Sequence, residues 1–141
     1  MQDDFTEIMN NLTENARFAL QKSDYYAKRY NNGYMSTEHL LLGILSQDTS
    51  TGARFLADED VNLESVEKTI NHTAVEVPGS QMAMMSLSEA AVLTLRMAAN
   101  FTKEQGIKLI GTEHILYALL RQPNSRASLI LQGLKVDLNN L

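Results

Sequence analysis

The sequence predicts an all-α fold built from two copies of one helical unit. Apolar residues recur at three- and four-residue spacing, helix-start residues recur at matching places, and the chain matches itself at a fixed offset. Shifting the sequence by 75 places Leu12 on Leu87 and, without a gap, Thr37-Glu38-His39 on Thr112-Glu113-His114. About fifteen of roughly fifty-five aligned positions are identical, among them Leu20 with Leu95, Leu41 with Leu116, Leu45 with Leu120 and Leu56 with Leu131. That density is the mark of a duplication.

The elements follow in order. Leu12, Ala16, Ala19, Leu20, Ser23, Ala27 and Tyr30 share one face of a first helix, and Leu87, Ala91, Leu95, Ala98 and Thr102 repeat it in the second copy. Small residues on that face let another helix approach closely. Asn31-Asn32-Gly33 and Gly106 are the expected stops. Thr37 and Thr112 then read as N-caps, each followed by a glutamate that complements the helix dipole. Leu40, Leu41, Ile44 and Leu45, matched by Ile115, Leu116, Leu119 and Leu120, form the buried stripe of this second helix.

Turn-prone Asp48–Thr51 and Pro123–Ser125 lead to short helices through Ala53–Leu56 and Ala127–Leu131. A last helix is expected after Asn62, running from Leu63 to about His72, and another after Asp137. The tyrosines at 25, 26, 30 and 34 read as core packing and helix-end contacts. The whole chain, 1–141, is expected to form one domain, with repeat one at about 12–72, a linker at about 73–86 and repeat two at about 87–141. Pro78-Gly79 and the methionines at 82, 84 and 85 mark that linker. Only four residues follow Asp137, so a longer native protein is expected.

Composition narrows the function. A domain of this size buries roughly two-thirds of its unfolded surface and needs no staple. The chain has no cysteine, which fits a reducing cytoplasm, the expected location. A net charge of −5, without a basic run, argues against nucleic acid or an anionic membrane as partner. No signal-peptide pattern or membrane-length apolar run is present, and no phosphate-cradling, dinucleotide or nucleophile-elbow motif appears. Adjacent helical residues point about 100° apart, so Glu38 and His39 cannot chelate one ion from the same face. The third histidine, His72, has no partner at ligand spacing. No metal, cofactor or catalytic residue is expected. The histidines read as packed or capping imidazoles, and the glutamates as dipole partners or as acceptors for a cationic group.

Ser36-Thr37-Glu38-His39-Leu40-Leu41 and Gly111-Thr112-Glu113-His114-Ile115-Leu116, opening the second helix of each copy, carry a family resemblance. The pair resembles the amino-terminal domain of Clp-family AAA+ unfoldases, most of all the ClpC type, over about Leu12 to Leu141. The resemblance implies two tandem four-helix repeats packed as a pseudo-twofold eight-helix bundle. It also implies a domain that recruits adaptor proteins and protein substrates to an ATP-driven unfoldase, often ahead of a ClpP-type protease. Some ClpC-type members bind phosphoarginine. Carried over, that role implies Glu38 and Glu113 for the guanidinium, with the hydroxyls of Thr13 and Ser88 near the phosphate. Asn15, Ala90 and Val92 stand where phosphoarginine binders commonly carry basic residues, so the carboxylate is expected to dominate any attraction. Two other readings remain: a free-standing Clp accessory protein of the same fold, and a small hydrolase built on the Glu-His pairs.

Overall fold

The computed structural model describes residues 4–30, 33–70 and 86–136, and these contain eight α-helices. They are α1 (Asp4–Asn10), α2 (Glu14–Arg29), α3 (Thr37–Leu45), α4 (Thr51–Ala57), α5 (Leu63–Glu67), α6 (Glu89–Glu104), α7 (Thr112–Leu120) and α8 (Arg126–Gly133). Helices α2 to α5 belong to the first copy and α6 to α8 to the second. The methionines at 82, 84 and 85, His72 and the expected cap Asp137 lie outside the described residues. No described helix is long and apolar enough to cross a membrane.

Local chemistry sets the helix starts. Thr13 and Ser88 cap α2 and α6, their hydroxyl oxygens accepting from Ala16 N–H at 3.1 Å and Ala91 N–H at 3.0 Å. Asn62 caps α5 as expected, accepting from Ser65 N–H at 2.8 Å. Helix α5 is shorter than its sequence pattern. From Thr69 the bonds tighten to i→i−3, and the Thr69 hydroxyl donates to the Val66 carbonyl at 2.7 Å, which closes the helix. After α4 and α8 the chain turns through positive φ at Asp60 (63°) and Lys135 (69°), which are equivalent positions because 60 + 75 = 135.

The sequence gives no cue for α1, which precedes the duplicated unit. Its Ile8 is buried, and Phe5 and Met9 pack against the core. The core itself is continuous across both copies, and Leu41, Leu56, Leu95, Leu116 and Leu131 are all almost wholly buried in it. One expected equivalence fails. Leu45 is buried beside α5, but Leu120 is only half-buried, and the residues that would match α5 in the second copy lie outside the described ones. Tyr34 is 61% exposed, so it is not a core tyrosine. The first copy also packs more tightly: a Cβ at Gly43 would lie 2.1 Å from the Ala19 carbonyl oxygen, whereas the equivalent residue of α7 is Ala118.

The copies are joined by paired hydrogen bonds. Thr13 N–H donates to Ile110 O at 2.9 Å and Ile110 N–H to Asn11 O at 2.8 Å. Adding 75 or subtracting it gives the other set: Ser88 N–H to Met35 O at 2.8 Å and Met35 N–H to Ser86 O at 2.9 Å. The third pair corrects the sequence reading of the threonines. Thr37 and Thr112 are the first residues inside their helices; the N-caps are Ser36 and Gly111. The Thr37 Oγ1 instead accepts from Ala127 N–H of α8 at 3.2 Å, and the Thr112 Oγ1 from Gly52 N–H of α4 at 2.9 Å. Each threonine therefore satisfies an orphan amide at a helix start in the other copy.

Two outcomes follow from this packing. Thr37→Val and Thr112→Val keep the side-chain shape and strand a buried amide, so each should lose about 1–3 kcal/mol in urea unfolding, with Ser retaining most of the stability. A loss indistinguishable from zero would contradict the cross-copy bond. The second outcome concerns Tyr30, whose hydroxyl donates to Glu67 Oε2 at 2.8 Å and whose pKa is pushed up to about 12, first by burial and then by that bond. A raised folded pKa means stability is full below the ordinary value of 10 and declines as pH climbs from there towards 12. Tyr30→Phe should flatten the wild-type decline in unfolding midpoint over that window; an unchanged slope would contradict it.

Candidate functional site

The two Thr-Glu-His segments open α3 and α7, and each residue of the triplet faces a different task. Threonine, as described, reaches the other copy. Histidine turns back: Ser36 N–H donates to His39 Nδ1 at 2.9 Å, and Gly111 N–H donates to His114 Nδ1 at 2.8 Å. An imidazole at the third helical position thus does what Glu or Gln does in a capping box. With Nδ1 accepting, the ring proton sits on Nε2. The expectation of packed, capping imidazoles is met, since His39 is 2% and His114 9% exposed.

The glutamates lie between them in sequence, at the second position of each helix. Glu38 is buried, its side chain 8% exposed. Its Oε2 pairs with Arg126 Nε at 3.1 Å, and Arg126 is the first residue of α8 in the other copy. Its Oε1 is buried without a hydrogen-bond partner among the described residues. A buried acceptor left unpaired is costly. Glu113 behaves differently. Its side chain is 34% exposed, and its carboxylate folds back over Gly111, where a Cβ would lie 2.5 Å from Oε1. Next to Glu113 is an apolar recess of about 270 Å³, lined by Phe55, Phe101, His114, Tyr117 and Leu120. Phe101 and Tyr117 are in ring contact there, with centroids 4.2 Å apart.

The hydroxyls singled out from the sequence sit beside these segments, but across the copies. Ser88 Oγ donates to Ser36 Oγ at 3.2 Å, two residues before Glu38. Thr13 is held by its backbone to Ile110, three residues before Glu113. Both hydroxyl oxygens already cap their own helices and have less capacity to accept, and the Ser88 proton is already directed to Ser36. Of the flanking uncharged positions, Asn15 accepts from Gln47 Nε2 at 2.7 Å, and Ala90 and Val92 are half-buried. A separate cavity of about 170 Å³ lies between α1 and α6, lined in part by Asn11, Arg96, Asn100, Lys103 and Lys108.

Sequence reasoning missed Arg126 altogether. The signal was present as a break in the repeat: position 51 holds Thr where its partner, 51 + 75 = 126, holds Arg.

With this geometry the chain can be set against known proteins. The family model of the Clp repeat (R) N-terminal domain matches residues 11–134. The ATP-dependent Clp protease ATP-binding subunit ClpA homolog of Trieres chinensis is 31% identical over 134 residues, covering 95% of this chain and 15% of that protein. The chain thus spans about 15% of the length of the curated relatives it matches. Among solved structures, the N-terminal domain of the chaperone ClpD from Arabidopsis thaliana superposes with a TM-score of 0.75 at 19% identity, covering 92% of this chain and 88% of that one. A ClpV N-domain in complex with a VipB peptide gives 0.74 at 18% identity, covering 100% of this chain and 88% of that one. The doubled Thr-Glu-His helix starts, the all-helical paired repeats and the match over residues 11–134 agree: the chain belongs to the Clp repeat N-terminal domain family.

Proposed function

We propose that this chain is the recruitment domain of an ATP-dependent Clp unfoldase, binding adaptors and protein substrates through arginine side chains received at Glu38 and Glu113. The parent would carry the ATPase modules and deliver captured proteins to unfolding or to a ClpP-type protease. The relatives support this reading by being ATP-binding subunits of Clp proteases, and the ClpV N-domain supports it by holding a peptide.

One observation carries the arginine specificity. Glu38 already holds a guanidinium group, that of Arg126, at 3.1 Å, and keeps a second buried oxygen without a partner. A carboxylate presenting two oxygens matches the planar fork of an arginine, and such charge-assisted bonds are stronger than neutral ones. At Glu113 the adjoining recess suits the aliphatic stem of an arginine or the apolar neighbours it brings. Phosphoarginine falls within the proposal. Its phosphoryl group would meet the hydroxyls of Thr13 and Ser88, but Asn15, Ala90 and Val92 supply no positive charge. The phosphate therefore adds little, and the guanidinium is the main determinant.

Calorimetric titration with phosphoarginine and with plain arginine tests this. Millimolar-to-micromolar affinity is expected, roughly −4 to −8 kcal/mol, with the two ligands within about tenfold of each other. The Glu38→Gln, Glu113→Gln double variant should lose most of the heat at unchanged fold. Identical isotherms for wild type and double variant would overturn the proposal.

A further inference from the structure

The two carboxylates are equivalent in the repeat and not in their surroundings. Each helix start is clasped to the third helix of the other copy, Thr37 to the beginning of α8 and Thr112 to the beginning of α4. The first residue of that facing helix is Arg126 on the Glu38 side and Thr51 on the Glu113 side. Arg126 reaches Glu38 at 3.1 Å. Among the described residues no lysine or arginine pairs with Glu113, and His114 Nε2 stands off at 3.9 Å.

We infer that the Glu38 site is closed by the chain's own Arg126, which stands in for the guanidinium of a partner, so that Glu113 alone takes an incoming arginine directly. The inference rests on the reading that these carboxylates accept arginine, and it assigns Arg126 as the residue that decides how many sites are open.

Three features make Arg126 a gate as well as a structural counter-ion. First, the pair is lopsided: the Glu38 side chain is 8% exposed and that of Arg126 64%, so the guanidinium enters from solvent and can leave the same way. Second, it engages through Nε on one carboxylate oxygen and leaves Oε1 buried without a partner. A better-aligned guanidinium satisfying both oxygens would be favoured over it. Third, a tethered group competes at an effective concentration of about millimolar or above. A free ligand of millimolar affinity therefore finds Glu38 occupied, while a multivalent or tighter arginine-bearing partner can displace Arg126 and engage both sites.

The test exchanges the two differing residues. Titrating a short peptide with a single phosphoarginine into wild type should give one site per chain. Glu113→Gln should remove that site. Arg126→Thr, which installs the residue found at the equivalent position, should give two sites per chain. Thr51→Arg, the reverse exchange on an exposed position, should weaken wild-type binding at least tenfold; it keeps the inference testable should Arg126→Thr unfold. Two equal sites in wild type, one site still in folded Arg126→Thr, or unchanged binding in Thr51→Arg would each overturn the inference while leaving arginine recognition intact. Absence of binding in wild type and every variant would remove arginine recognition and the gate together.

Discussion

The organisation of this domain depends on a reciprocal exchange at its centre. Thr37 accepts the Ala127 amide and Thr112 accepts the Gly52 amide, all within the buried interior. An α-helix begins with amides that have no partner inside the helix, and burying them without one is costly. Here each copy supplies the missing acceptor for the other. Helices α4 and α8 are thereby placed against α7 and α3, and the extended segments before α2, α3, α6 and α7 are drawn into two backbone bridges. Neither copy completes its own hydrogen bonding.

That exchange is also what places the glutamates. Position one of α3 and α7 is committed to the other copy, and position three folds its imidazole back on the N-cap amide. The carboxylate at position two is left beside the beginning of the other copy's third helix, buried at Glu38 and partly exposed at Glu113. The backbone frame is closely symmetric, down to the positive φ at Asp60 and Lys135. The side chains around the carboxylates are not. By the repeat, Ser36 corresponds to Gly111, Thr51 to Arg126 and Gly43 to Ala118. A duplicated scaffold thus carries two sites whose chemistry has separated.

The duplication, the buried leucine stripes and the cap at Asn62 were legible in sequence because they rest on periodicity and local pairing, whereas Thr13 and Ser88 were picked out as hydroxyls at the start of α2 and α6 and not as their caps. The threonines were misread as caps because the partner amides lie 90 and 60 residues away, at Ala127 and Gly52, and no local pattern records such a contact. Helix α1 is too short to show a period; it packs against α6, and its Ile8 joins the core there. The glutamates were picked out as candidates, yet their differing burial depended on Arg126, which the sequence marks only as a mismatch between copies.

The most direct test of the account is an amide chemical-shift map recorded while an arginine-bearing peptide is added to the domain. The account predicts the largest changes at the helix starts, Gly111 to His114 first, with Gly52 following through its bond to Thr112 and Thr13 through its bond to the adjoining Ile110. Changes confined to the cavity between α1 and α6, around Asn100, Lys103 and Lys108, with the two Thr-Glu-His segments unmoved, would contradict it.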